Sequence, residues 1–278
     1  SSFNDNVSAT LSLKELKKCT YLFIALPAQN IRDVISQSNF QNKKHNIIIC
    51  SKGIEIKSSK FLTQVVEELI PYKSISILSG PSFSNEVVQN LPTAVTLATK
   101  DKSNFEKISK LIQSKEFRVY YSNDLLGTQI GGALKNIYAV AAGIAKGLNL
   151  GENAKSALIS RSFAEMTRFA ENFKANKNTL FGLSGLGDLI LTCNSESSRN
   201  TQFGIKIASA KNENYTDLLK SQEVTEGYYT VEAVYNISKK NNIEMPIMES
   251  VYNILYNQHN LKDELTKLLN RPLRDEII

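Results

Sequence analysis

Short apolar runs alternate with amphipathic stretches in the first half of the chain. The runs at 21–26, 45–50 and 74–78 are continuous and end at turn residues, which predicts buried strands. Helical spacing is found at 31–38 and 60–70, between these runs. Two further β-like runs follow at 93–99 and 117–121, with a helical stretch at 104–112 between them. The alternation predicts a doubly wound α/β domain on a parallel sheet, which binds ligands at the carboxyl ends of its strands.

The β signals fade after about residue 124, and the pattern becomes helical. Helices are predicted at 124–146, 152–173, 231–239 and 261–269, with one more beginning at Pro246. We therefore divide the chain into a Rossmann-type domain at 1–123 and an all-helical substrate domain at 124–278.

Composition narrows the class of protein. The chain has 278 residues, 42% of them hydrophobic and 22% charged, as in ordinary globular proteins. No apolar run reaches the ~20 residues of a membrane span. The net charge of +6 is spread along the chain without a basic block, which argues against nucleic-acid binding but fits a phosphorylated small molecule. Three widely spaced cysteines and two histidines favour a reduced, cytoplasmic location and disfavour a metal site.

A dinucleotide-binding domain is expected to begin with a strand, a Gly-x-Gly-x-x-Gly turn and a helix. No such turn occurs in the 278 residues. Either the domain binds no dinucleotide, or its opening βαβ units, about 60 residues, precede Ser1. We favour the second interpretation and expect an N-terminally incomplete Rossmann domain.

A single lysine, Lys135, interrupts the small and apolar residues of 131–145. Lysines in helices usually extend their ammonium to solvent. In a dry pocket the pKa of Lys135 would instead fall toward the range of a proton carrier. The pattern of this helix alone favours the solvated role.

Four other segments carry polar groups, and each has a structural alternative. Lys52 lies in a turn after a strand, where it is either a cation for a ligand or a basic turn residue. The segment 78–84 offers backbone N–H groups and hydroxyls to an anion, or forms a tight turn before a helix. Asp188 follows a glycine-rich stretch, where it would by default cap a helix. Residues 198–200 combine a hydroxyl, a guanidinium and an amide, and the arginine among them either binds phosphate or lies on the surface.

Taken in order, these segments resemble the bacterial type of the NAD(P)-dependent sn-glycerol-3-phosphate dehydrogenase family. The resemblance covers essentially the whole chain. It rests on seven short motifs: Ser51-Lys52-Gly53, Leu78-Ser79-Gly80-Pro81-Ser82-Phe83, Gly131-Gly132-Ala133-Leu134-Lys135-Asn136, Gly185-Leu186-Gly187-Asp188-Leu189, Ser198-Arg199-Asn200, Thr225-Glu226-Gly227-Tyr228 and Glu244-Met245-Pro246-Ile247.

This resemblance implies an oxidoreductase that interconverts glycerol 3-phosphate and dihydroxyacetone phosphate with NAD or NADP, and so supplies glycerol phosphate for phospholipids. Lys135 would be the catalytic proton acceptor or donor. The implied substrate contacts are Lys52, Gly80, Ser82, Lys135, Asp188, Ser198, Arg199 and Asn200. The implied cofactor contacts are Lys52, Ser84, Arg199, Val224 and Glu226. Relatives of this kind are commonly homodimers.

Two alternatives stay open at this point. One is a related lysine-using dehydrogenase that acts on another hydroxy acid and lacks the phosphate contact of Arg199. The other is a cofactor-free remnant with a binding role. The choice between NAD and NADP also stays open, because the group that reads the 2′ position belongs to the opening segment of the family's nucleotide domain.

Overall fold

Five strands form one sheet in the computed structural model, which describes residues 6–38, 40, 44–210, 218–219 and 225–272. Their order in the sheet is the order of the chain. The strands are β1 Tyr21–Ile24, β2 His45–Ile49, β3 Tyr72–Ser79, β4 Thr93–Thr99 and β5 Phe117–Ser122.

The sheet differs from the sequence-based expectation at one step. β1, β2 and β3 pair in parallel, as do β4 and β5, but β4 runs antiparallel to β3. The β3–β4 connection, residues 80–92, contains only a five-residue helix, which is too short to carry the chain back along the eight residues of β3 for a parallel return. The expected wholly parallel sheet is therefore wrong at this step, and the Rossmann-like sheet is confirmed as a mostly parallel one.

Helices pack on both faces of this sheet, and further helices follow it in the chain. One face is covered by two helices whose apolar side chains pack on β1, β2 and β3, and an N-capped helix covers part of the other face. The first four helices are α1 Ile31–Ser36, α2 Leu62–Leu69, α3 Ser84–Val88 and α4 Lys102–Ile112.

Within the described residues, eight further α-helices follow β5. They are α5 Leu125–Gly147, α6 Gly151–Asn172, α7 Lys177–Leu180, α8 Asp188–Asn194, α9 Arg199–Ser209, α10 Glu226–Asn241, α11 Pro246–Asn257 and α12 Leu261–Leu269. The sequence pattern did not predict α7, α8 or α9. Both α8 and α9 border the site described below; α8 is only seven residues long, and the first turn of α9 is polar.

The central helix of this half is α5, which is buried on all sides from Gly127 to Ala145. It crosses α9 at a point where both helices carry glycine. A Cβ added at Gly143 would lie 2.1 Å from the carbonyl oxygen of Thr201, and one at Gly204 would lie 2.1 Å from that of Val140. The absence of side chains at these two positions therefore allows the backbones to pack in contact, which brings α9 against the helix that carries Lys135.

Candidate active site

Lys135 is buried in the middle of α5, with 7% of its surface exposed. Its Nζ donates to Asp188 Oδ1 at 2.5 Å and to Thr192 Oγ1 at 3.0 Å. Asp188 and Thr192 are one turn apart on α8 and therefore face α5 together. The Thr192 hydroxyl donates in turn to the Asp188 carbonyl oxygen at 2.6 Å, so it is oriented to accept from the lysine. The solvated role that the helix pattern favoured is wrong for this lysine.

Lys52 approaches the same carboxylate from the sheet. It follows β2, and its Nζ lies 2.6 Å from Asp188 Oδ2 and 3.0 Å from the carbonyl oxygen of Gly80, at the end of β3. Its aliphatic stem passes α5 at Gly132, where an added Cβ would lie 3.4 Å from Lys52 Cγ and 2.8 Å from Ser79 Oγ. The missing side chain at Gly132 thus leaves room for the strand ends beside the lysine helix.

Asp188 is the first residue of α8, and the residue before it, Gly187, occupies the cap position. The default interpretation of Asp188 as a helix cap is therefore wrong. Its side chain is 1% exposed and forms ion pairs with both Lys52 and Lys135. A carboxylate so deeply buried needs charged partners to offset its lost hydration, and the two ammonium groups provide them. This local cluster carries a net charge of +1.

The cluster lowers the pKa of Lys135 to about 8. The largest cause is burial, which disfavours the ammonium form, and the second is the positive charge of Lys52. The carboxylate of Asp188 opposes both effects and keeps the pKa from falling further.

The turn after β3 supplies the two hydroxyls expected from the sequence. Ser82 is half-buried, and its Oγ donates to the Gly80 carbonyl oxygen at 3.1 Å, the same oxygen that Lys52 binds. Ser84 is exposed and begins α3. Ser82 therefore belongs to the cluster around Lys52, whereas Ser84 lies on the surface.

Residues 198–200 form the start of α9, and each has a different environment. Ser198 is buried and caps the helix by accepting from the Thr201 N–H at 3.2 Å. Arg199 is exposed at the first position of the helix. Asn200 uses both ends of its amide within the protein: Nδ2 donates to Asn136 Oδ1 at 3.0 Å, and Oδ1 accepts from the Gly227 N–H at 2.9 Å.

Glu226 joins the helical half of the chain to the sheet. Its Oε1 accepts from the Ala28 N–H, just beyond β1, at 3.1 Å. Its Oε2 is buried beside Gly53 and has no hydrogen-bond partner within the part of the chain that the structure describes. Burial raises the pKa of the Glu226 carboxyl, while the Ala28 N–H and the charge of Arg199 lower it. Val224, the other expected cofactor contact in this region, lies outside the described residues.

Sequence reasoning missed two residues of the cluster. Thr192 contacts the lysine directly, and a hydroxyl four residues after Asp188 was the available signal. Asn136, adjacent to Lys135, accepts a hydrogen bond from Asn200. This contact depends on how closely α5 and α9 pack, so the sequence gave no signal for it.

Comparisons with known proteins identify the family of this chain. The family model described as "NAD-dependent glycerol-3-phosphate dehydrogenase N-terminus" matches residues 1–105, and its C-terminal counterpart matches residues 124–266. The chain belongs to the NAD-dependent glycerol-3-phosphate dehydrogenase family. The resemblance drawn from the seven motifs is thereby confirmed.

Individual members of the glycerol-3-phosphate dehydrogenase family are similar over most of their length. The glycerol-3-phosphate dehydrogenase [NAD(P)+] of Zymomonas mobilis is 40% identical over 97% of this chain and 78% of that protein. The protein of the same name from Thermotoga sp. is 44% identical over 97% of this chain and 82% of that protein. The crystal structure of glycerol-3-phosphate dehydrogenase from Coxiella burnetii superposes with a TM-score of 0.89 at 34% identity, over 97% of this chain and 83% of that one.

Proposed function

We propose that this chain is a dehydrogenase that interconverts sn-glycerol 3-phosphate and dihydroxyacetone phosphate, with Lys135 as the group that moves the proton at the C2 oxygen. The buried Lys135 ammonium between Asp188 and Thr192 is the observation that carries the proposal. The product of the reductive direction, glycerol phosphate, is a precursor of phospholipids.

The lowered pKa of Lys135 suits this task. With a pKa of about 8, roughly a tenth of the side chain is neutral at pH 7, compared with about one part in three thousand at the pKa of a free lysine. The neutral amine accepts the C2 hydroxyl proton during oxidation, and the ammonium returns it to the ketone oxygen during reduction. Thr192 and Asp188 hold Nζ at a fixed position in both directions.

The bound nicotinamide of NAD or NADP would accept or supply the hydride at C2. Its site is proposed at the carboxyl ends of β1, β2 and β3, where parallel strands bind such groups. The Oε2 of Glu226 is buried beside Gly53 and has no partner among the residues that the structure describes, so it fits a donor such as a carboxamide N–H. We propose Lys52, Ser84, Arg199, Val224 and Glu226 as cofactor contacts.

The phosphate of the substrate needs cations on the surface of the same site. Arg199 is exposed at the start of an eleven-residue helix, where its guanidinium and the helix terminus both favour an anion. We propose that it binds the substrate phosphate together with Ser198 and Asn200, while Lys52, Gly80, Ser82 and Asp188 line the site around C2. The remote phosphate contact would then hold C2 near Lys135.

The discriminating experiment compares Arg199→Ala with Arg118→Ala, which removes an exposed arginine on β5. Arg199→Ala should raise KM for glycerol 3-phosphate at least tenfold, whereas Arg118→Ala should leave KM unchanged. An unchanged KM in Arg199→Ala would contradict the substrate assignment and favour another hydroxy acid. A titration of NADH against NADPH, followed by nicotinamide fluorescence, measures which cofactor binds.

The organisation of the enzyme is also part of the proposal. We propose a nucleotide domain at 1–123 and a substrate domain at 124–278, supported by the change from strands to helices between Ser122 and Leu125.

We further propose a homodimer in the cytoplasm, with no nucleic acid among its partners. Within the described residues, no helix is both long and apolar enough to cross a membrane. Sedimentation at working concentration tests the dimer, and fractionation of cells tests the location.

A further inference from the structure

Four tyrosines of α10 and α11 stack in one column, which we call the tyrosine column. Tyr228 and Tyr235 are about two helical turns apart on α10, and Tyr252 and Tyr256 are about one turn apart on α11. Each pair therefore lies on one face of its helix, and the rings of the two faces meet. All four side chains are partly exposed. None of them is among the contacts proposed above for substrate or cofactor.

The rings are nearly parallel along the whole tyrosine column. Tyr235 lies on Tyr252 with the ring centroids 3.7 Å apart and the ring planes inclined by 4°. Tyr252 stacks on Tyr256 at 5.0 Å and 10°, and Tyr256 stacks on Tyr228 at 4.7 Å and 17°. Aromatic pairs in proteins commonly have their centroids about 4.5–7 Å apart, in offset or edge-to-face arrangements. Tyr235 and Tyr252 are thus closer than ordinary aromatic packing brings two rings.

Polar contacts connect α10 to α11 at both ends of the column. At one end the Tyr256 hydroxyl donates to the Tyr228 carbonyl oxygen at 3.0 Å. At the other end the Nζ of Lys239 lies 5.2 Å from the centroid of the Tyr235 ring and forms an ion pair with Glu249 at 2.6 Å. These contacts keep the two helices, and with them the stacked rings, side by side.

Two phenol rings in contact can undergo a reaction that separated tyrosines cannot. A tyrosine that loses one electron to an oxidant and its hydroxyl proton to water becomes a neutral radical. The unpaired electron of this radical is spread over the oxygen and the ring carbons ortho and para to it. Two such radicals join when their ortho carbons meet, which requires the rings to be as close as Tyr235 and Tyr252 are.

Most of the side chains that are oxidised more easily are out of reach of an oxidant. All three methionines and Cys193 are at most 2% exposed. Cys19 and Cys50 are half-buried, and burial raises the pKa of the Cys50 thiol to about 11, which disfavours the reactive thiolate. The partly exposed tyrosine column is therefore a favoured point of attack for a one-electron oxidant.

We propose that Tyr235 and Tyr252 are a site of oxidative cross-linking, where a one-electron oxidant joins α10 to α11 through dityrosine. The oxidant takes one electron from each ring, and each hydroxyl proton passes to water. One C–C bond then forms between an ortho carbon of each ring. The hydrogens on these two carbons move to the oxygens and restore both phenols. In all, the chain loses two hydrogens, as two protons to water and two electrons to the oxidant.

Photo-oxidation of the full 278-residue chain with tris(bipyridine)ruthenium(II) and persulfate tests this proposal, because the illuminated mixture generates a one-electron oxidant. Dityrosine is measured by its fluorescence and by mass spectrometry of tryptic peptides. Lys239 and Lys240 lie between the two tyrosines, so trypsin separates Tyr235 from Tyr252 unless a cross-link joins their peptides. The joined pair should be the main dityrosine product, two hydrogens lighter than its two peptides together. Absence of dityrosine, or dityrosine only between two chains, would overturn the proposal.

Phenylalanine variants identify the two partners. Tyr235→Phe and Tyr252→Phe keep a stacked ring but cannot form the phenolic radical, so each should abolish the joined peptide pair without lowering Tm. Tyr120→Phe, which alters a tyrosine that is 50% exposed on β5, should leave the yield of the pair unchanged. If the dityrosine yield of Tyr235→Phe or Tyr252→Phe equals that of the natural chain, the cross-link lies elsewhere and the assignment is wrong.

The cross-link should also stabilise the chain. It closes the connection between α10 and α11 into a loop, which restricts the unfolded state as a disulfide does. The oxidised chain should therefore unfold at a higher urea concentration than the untreated chain, whereas oxidised Tyr252→Phe should show no such shift. An equal shift in Tyr252→Phe would contradict the proposal. These measurements need neither glycerol 3-phosphate nor a nicotinamide, so their outcome is independent of the proposed dehydrogenase activity.

Discussion

Asp188 Oδ1 lies 2.5 Å from the Nζ of Lys135 in a region where both side chains are almost fully buried. The carboxylate favours the ammonium form of Lys135 and therefore opposes the loss of the proton that the proposed oxidation requires. The second lysine, Lys52, compensates for it by binding Oδ2 of the same carboxylate at 2.6 Å. The pKa of Lys135 is thus determined by a balance between burial, one like charge and one opposite charge.

Replacement of Lys135 by methionine tests its role in proton transfer. Methionine has a similar length and is tolerated in a buried position, so the fold and the binding of glycerol 3-phosphate should survive. Turnover should fall at least about 100-fold, the usual contribution of a general acid or base. Lys146→Met, which removes an exposed lysine from the last turn of the same helix, should retain normal turnover. Substantial turnover in Lys135→Met would exclude Lys135 as the base.

The pH dependence of the reaction should follow the protonation of Lys135. Oxidation needs the neutral amine, so kcat/KM for glycerol 3-phosphate should rise with pH and level off above about 8. Reduction needs the ammonium, so kcat/KM for dihydroxyacetone phosphate should fall over the same range. Initial rates in both directions across this range measure the two limbs, and a profile that is flat around pH 8 in both directions would contradict the assignment.

Asp188→Asn should change both the pH profile and the stability. The aspartate raises the pKa of Lys135, so its removal should move the oxidation limb to lower pH. It also leaves Lys52 and Lys135 without a counter-ion, which for a buried pair costs about 3–5 kcal/mol in the free energy of unfolding. Urea unfolding and the pH profile of oxidation measure the two effects. Glu196→Gln, which breaks an exposed pair with Lys146, is the matched control, and equal behaviour of the two variants would contradict this account.

The sequence predicted the five strands and most of the longer helices because their apolar runs are regular. It did not predict the antiparallel pairing of β4, which follows from the short helix in the connection from β3. The motifs located Lys52, Lys135 and Asp188 before any geometry was known. They could not show that Asp188 binds both lysines, because that contact joins the sheet, α5 and α8 from distant parts of the chain. The spacing of Thr192 from Asp188 placed both on one face of α8, but the contact of Thr192 with Lys135 depends on how α8 packs against α5.

Glu165 allows a test of stability that is separate from catalysis. This carboxyl is 1% exposed and accepts the N–H groups of Ile247 and Met248 at the start of α11. Burial raises its pKa to about 7, above the ordinary value of 4.5, so the folded state binds more protons than the unfolded state between these values. The free energy of unfolding should therefore fall as pH rises from about 4.5 to 7, by at most about 3 kcal/mol from this group.

Glu165→Gln removes the titrating group and keeps its shape. The unfolding free energy of the natural chain minus that of Glu165→Gln should decrease as pH rises from about 4.5 to 7. It should stay constant above about pH 8. Urea unfolding at several pH values measures this difference. Glu171→Gln, on the same helix at an exposed position, should show no such trend. Parallel stability curves for the natural chain and Glu165→Gln would mean that Glu165 titrates with an ordinary pKa, and that its bonds to α11 compensate fully for its burial.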